Sequence, residues 1–117
     1  MLELPVYQNL SSDITFTTIL DNIRCKFRLM WNTKSKFWMV NTYEEPDNNF
    51  FLYGLKIVPN YPFLNRYNPS FPGEMICLKK GTDVDFEITY NNFGSGWGLF
   101  YLTSEEFEEW SILNGFQ

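Results

Sequence analysis

Apolar and polar residues alternate with a period of two along most of this chain, the pattern of strands that bury one face. Ile14, Phe16, Thr18 and Leu20 alternate with Thr15, Thr17 and Ile19, which predicts a strand. Asp21-Asn22 is then a two-residue turn of the kind that accepts positive φ, so a tight hairpin is expected. The return strand alternates most regularly: Ile23, Cys25, Phe27, Leu29 and Trp31 share one side, and Arg24, Lys26, Arg28 and Met30 the other. A turn over 32–36 leads to a strand over 37–42, with Trp38 and Val40 inward. Upstream, Leu2 to Tyr7 reads as a short edge strand, because Pro5 lacks the donor that a central ladder needs.

Beyond the polar loop Glu44 to Asn49, the stretch from Phe50 to Lys80 is organised differently. An apolar strand over 50–58 carries Gly54 at its middle, where a bulge or a close backbone approach is expected. A loop follows with Pro59, Pro62, Pro69 and Pro72, four of the six prolines, before Met75 to Lys80 resumes a strand. Loops of this length are uncommon in small domains and are usually functional or disordered. Tyr61, Phe63, Leu64, Tyr67 and Phe71 make this one too apolar for disorder. They must pack on their own domain or on a partner.

Val84, Phe86, Ile88 and Tyr90 oppose Asp83, Asp85, Glu87 and Thr89, which predicts a further strand. A glycine-rich turn over Asn91 to Gly98 leads to a strand over 99–102. Thr103 opens a capping box with Glu106, and Phe107, Trp110 and Leu113 give a short helix an apolar face that ends at Asn114-Gly115. The sum is an all-β fold: a small, mainly antiparallel β-sandwich or barrel of about seven or eight strands with one short C-terminal helix. Residues 1–117 read as a single β-rich domain.

Composition narrows the function. Hydrophobic residues make up 44% of the chain, enough for a core, and the 20% aromatic share favours strands and interfaces. The net charge is 9 − 14 = −5, and Glu105, Glu106, Glu108 and Glu109 account for four of the acids, leaving −5 + 4 = −1 elsewhere. Without a basic field, nucleic acid is excluded as a partner. No apolar run approaches a membrane span, and the first residues lack a signal-peptide pattern, so no membrane association is expected. Cys25 and Cys77 lie inside apolar strand patterns and read as buried free thiols.

With no histidine, the commonest general base and most zinc and copper sites are missing, so no catalytic residue, metal or cofactor is expected. A carboxylate-only enzyme would need two carboxyl groups converging at about 5–9.5 Å. Asp83, Asp85 and Glu87 are spaced about 7 Å apart along a strand, too far for a calcium cage. They are expected to face solvent, or to pair with Arg24, Lys26 and Arg28 if the two strands are neighbours. Phe93 to Gly98 lacks the lysine and the strand–loop–helix context of a phosphate loop and reads as a wide turn. Trp31 and Trp38 follow core alternation, which leaves Trp97 on its glycine turn free to stack on a sugar. A carbohydrate-binding β-sandwich module is therefore the alternative function.

One order of features runs through the chain: the hairpin Ile14–Trp31, Trp31-Asn32-Thr33 with Trp38 and Val40 beyond it, and Gly54-Leu55 with its apolar strand. Leu64 and Tyr67 in the long loop follow, then Phe71-Pro72-Gly73-Glu74-Met75. In this order and spacing the chain resembles the small phage baseplate plug proteins of phages and prophages, typified by the plug domain of a cyanophage with a contractile tail. The resemblance spans Ile14 to Lys80, and after Tyr90 the glycine-rich turn and acidic helix depart from it. It implies a non-enzymatic structural part of the virion, built in the host cytoplasm and contacting other hub and tube proteins of the tail baseplate. A homo-oligomer is left open. The loop Tyr61–Phe71, centred on Asn60–Asn68, is then the expected docking surface, through Tyr61, Phe63, Leu64 and Tyr67. Trp97 and the C-terminal helix are secondary candidates.

Overall fold

The computed structural model describes residues 1–6, 12–44, 49–65, 73–81 and 86–115, with the backbone alone for 49–52. Its elements are β1 (Leu2–Glu3), β2 (Asp13–Leu20), β3 (Ile23–Asn32), β4 (Phe37–Glu44), β5 (Asn49–Lys56), β6 (Glu74–Lys79), β7 (Trp97–Leu102) and α1 (Ser104–Leu113). They form two antiparallel sheets, ordered β1-β7-β6 and β2-β3-β4-β5. Of the two expected architectures, the described strands form two sheets around a common core and not one closed barrel.

The four-stranded sheet follows from local sequence. Leu20 pairs with Ile23 across Asp21 (φ 49°) and Asn22 (φ 66°), two positive angles that match the right-handed twist of the flanking strands. In this register Phe16 lies opposite Phe27, with ring centroids 5.2 Å apart. Cys25, Phe27 and Leu29 are buried, while Arg24 and Arg28 are exposed. The next turn is tied by the Ser35 N–H, which donates to Asn32 Oδ1 at 2.9 Å. The Trp31 and Trp38 rings then pack with centroids 5.6 Å apart.

Gly54 marks a bulge, as its position in the strand predicts. The β4–β5 register shifts between Val40 and Thr42, Gly54 has φ 63°, and its N–H donates to the buried Asn41 Oδ1 at 2.6 Å. On the opposite side of β4, the fully buried Thr42 hydroxyl has no hydrogen-bond partner among the described residues. Thr42→Val removes that unsatisfied group and keeps the shape. It is expected to raise stability by about 1 kcal/mol, read as a higher urea midpoint with an unchanged slope. A lower midpoint would mean that the hydroxyl is bonded.

Both sheets contribute to one core, with Phe27, Leu29, Trp38 and Val40 from one and Met75, Cys77, Trp97, Leu99 and Tyr101 from the other. The Tyr101 hydroxyl donates to Asp21 in the β2–β3 turn and so ties the sheets together. Burial first, and the Asp21 carboxylate second, push the Tyr101 phenol well above its ordinary range, so it stays protonated as the donor.

Two expected strands are corrected. The N-terminal strand is only Leu2–Glu3, because Pro5 turns the chain: the Val6 N–H donates to the Leu4 carbonyl at 2.8 Å, and both side chains enter the core. Of the expected strand Val84 to Tyr90, residues 82–85 lie outside the described residues, and 86–90 form no strand. Asn92 takes up this backbone locally. Its Oδ1 accepts from the Thr89 N–H at 2.7 Å, and its amide donates to the Glu87 carbonyl at 3.0 Å, offering an alternative to ladder bonds. An acidic row facing Arg24, Lys26 and Arg28 is therefore not formed by the described part of this segment. Arg28 instead forms a two-point pair with Asp13, at 3.1 and 2.7 Å.

The helix begins as its sequence predicts. Thr103 and Glu106 complete the capping box, and Asn114 caps the end, followed by Gly115 at φ 66°. The N-terminal ammonium also pairs with Glu106, and with hydrogen bonds from that ammonium and Thr103 it holds the Glu106 carboxyl below its usual range.

Candidate docking surface

β6 is the last strand in its sheet, and such an edge exposes unpaired backbone groups that invite unwanted pairing. The segment 57–65 lies along this edge. The Asn60 N–H donates to the Cys77 carbonyl at 2.9 Å, and the Phe63 N–H to the Met75 carbonyl at 3.0 Å. Pro59 and Pro62 have no N–H to satisfy, so they suit the positions just before each of these bonds. The Leu64 N–H donates at 2.9 Å to the carboxylate of Glu74, itself buried. Glu74 thus anchors the entry to the long loop, a role that its place after Pro72-Gly73 gave no sign of.

This bracing divides the expected docking residues. Phe63 and Leu64 are buried in the core, where they fix the segment. Tyr61 is 38% exposed, and Tyr67 lies outside the described residues, as does Phe71. Val58 is 41% exposed, because β5 ends at Lys56 and residue 58 is no longer part of the strand predicted to hold it. Trp97, expected to be free on its glycine turn, is instead the first residue of β7 and 1% exposed. Its N–H donates to the Asn92 carbonyl at 3.0 Å, and its carbonyl accepts from the Gly94 N–H at 2.6 Å, so the turn folds back over the ring's backbone. It offers no ring face for a sugar.

Next to the braced segment is a cleft of about 370 Å³ walled by Phe37, Ile57, Pro59 and Phe86. Phe86 is 87% exposed, and Lys79 Nζ sits 4.6 Å from its ring centroid. Lys56 Nζ lies 5.1 Å from the Phe37 centroid. A protonated amine over an aromatic face is attracted by the ring quadrupole, so the rim is cationic and aromatic together. Sequence reasoning missed Phe86 because it assigned that residue to an inward strand face. Segment 86–93 is held from below by an aromatic cluster: Trp38 stacks on Tyr90 at 5.9 Å and packs on Phe93 at 4.8 Å. The Trp38 indole N–H donates to the Thr89 carbonyl at 3.2 Å.

Reactive groups are muted. Burial pushes the Cys25 thiol up to about 12, and it pushes the Cys77 thiol up as well. Neither thiol is expected to react with iodoacetamide in the folded protein at pH 8, and both should react once urea unfolds it, as read by mass spectrometry. Rapid labelling of the native chain would contradict the burial. Among the described residues, no group of three His, Cys, Asp or Glu side chains could hold a metal ion. Also among them, no helix is long and apolar enough to cross a membrane.

The described residues thus form a two-sheet β-protein in which the braced segment leaves Val58 and Tyr61 at the surface. Residues 1–105 match the family described as cyanophage baseplate Pam3 plug gp18, and the chain belongs to that family, a structural class of the phage tail. The match includes the glycine-rich turn and β7, which the sequence reading placed beyond the family pattern, and it ends at the second residue of α1. No curated protein matches the chain.

Proposed function

We propose that the chain works as a non-enzymatic, single-domain component of a phage or prophage tail baseplate, through contacts with other hub and tube proteins. The observation that carries this reading is the family match over 1–105, joined to an apolar surface on a segment whose backbone is already fixed. A pre-ordered loop loses less entropy on docking than a free one, so its contacts convert more fully into affinity. Tyr61 and Val58 supply the apolar contact, beside the cleft walled by Phe37 and Phe86. Phe63, Leu64 and Trp97 act from within, by holding that surface in place. Assembly takes place in the host cytoplasm and the product is the virion tail. With Trp97 buried, the carbohydrate-binding alternative has lost the ring on which it rested.

Binding of the purified chain to the hub and tube proteins of the same phage tests this directly. Tyr61→Ala is expected to weaken the complex by about 1–2 kcal/mol while changing folding stability by less than about 0.5 kcal/mol. Unchanged affinity would remove the loop as the docking surface. Failure of the unaltered chain to bind any of these proteins would remove the contact reading itself.

A further inference from the structure

The outer face of the four-stranded sheet is basic and apolar, which is unusual for a chain of net charge −5. Arg24, Lys26 and Arg28 run along β3, and the register places Ile19 opposite Arg24 and Tyr43 opposite Lys26. Ile19 is 61% exposed, and Lys26 Nζ lies 5.2 Å from the Tyr43 ring centroid. Among the described residues, the acid in an ion pair with this row is Asp13, held by Arg28, and three bases stand against it. Tyr53, also widely exposed, lies within electrostatic reach of Arg28.

A complementary surface exists on the same chain. In α1, Glu105, Glu108 and Glu109 are three and four residues apart, which places them on one helix face. All three are exposed, and Ile112 and Leu113 continue the same face, also exposed. The helix rests on β7, in the other sheet. Dimensions agree. Helical rise separates Glu105 from Ile112 by about 10.5 Å, and strand rise separates Arg28 from Arg24 by about 13.6 Å, a difference that long basic side chains span. Acid, acid and apolar residues along the helix thus meet base, base and Ile19 along the sheet.

We propose that this sheet face receives α1 of a second copy of the chain. Charge complementarity and matched apolar ends argue for this occupant. Because two different surfaces meet, the contact is heterologous and adds copies head to tail until a ring closes. Nearly all of the helix lies beyond the family match at 105, so this contact goes beyond the plug-family reading. It also requires no other baseplate protein, so its failure leaves the docking proposal standing.

Sedimentation velocity of the full chain in low and high salt tests the pairing. Self-association at low salt is expected, weakened by added salt because the charges are exposed. Glu108→Lys with Glu109→Lys, or Arg24→Glu with Lys26→Glu, should each weaken association roughly tenfold. Mixing the two double variants should restore association, since the intact helix of the second meets the intact sheet face of the first and the two reversed surfaces are again opposite in charge. Restored association would also show that both variants fold. A chain that stays monomeric at low salt, association that neither variant alters, or a mixture that stays monomeric would each overturn the pairing.

Discussion

Replacing Trp97 with alanine is expected to destabilise the protein by about 3–5 kcal/mol, the range for removing a large buried aromatic. The indole is 1% exposed, in the core shared by both sheets. Lys79, its partner across the β6–β7 ladder, holds Nζ 5.8 Å from the ring centroid. Truncation leaves a cavity in the core that both sheets share, while the backbone bonds of the glycine turn to residue 97 are kept. Chemical denaturation should show a much lower midpoint. If Trp97→Ala keeps its stability and loses only partner binding, the residue is a docking group and its place in the core is wrong.

The second large effect is expected at Gly73. A Cβ at this position would overlap the Tyr101 ring and the Leu102 carbonyl, a backbone atom that cannot swing away. Gly73→Ala therefore forces β6 and β7 apart at the point where Tyr101 reaches Asp21 across the sheets. Overpacking of this kind costs about 1–3 kcal/mol, and loss of the Tyr101–Asp21 bond adds to it. A lower melting temperature is the expected readout, with faster hydrogen exchange at Leu64, whose amide depends on the neighbouring Glu74. Native-like stability would mean that Gly73 is not pressed against Tyr101.

Much of this fold was legible because its hairpins obey local rules. The period of two through Ile14–Leu20 and Ile23–Trp31, with Asp21-Asn22 between them, fixes both register and facing. Gly54 announced its bulge, and Thr103 with Glu106 announced the helix start. Three features were not legible. Segment 57–65 is held by carbonyls of β6 and by Glu74, partners distant in sequence, so periodicity carried no sign that it would cover an edge. Trp97 stands among glycines, where no alternation says which way its ring points, and only the pairing with Lys79 does so. The alternation over 83–90 satisfied the strand pattern, yet its described residues form no strand, because Asn92 captures the backbone from outside the pattern.

The residues expected to dock as a group divide in the structure. Phe63 and Leu64 are buried, and Tyr61 keeps exposed surface. The N–H groups of both Asn60 and Phe63 reach carbonyls of β6, yet Phe63 is buried and Asn60 is exposed, so the edge fixes the backbone of this segment and the core selects which apolar side chains turn inward.

Immunogold electron microscopy of intact virions, with an antibody raised against this chain, tests the baseplate assignment most directly. Label is expected at the distal end of the tail, on particles that also contain the chain by mass spectrometry. Purified, infectious virions that lack the chain, or label on the capsid, would contradict it.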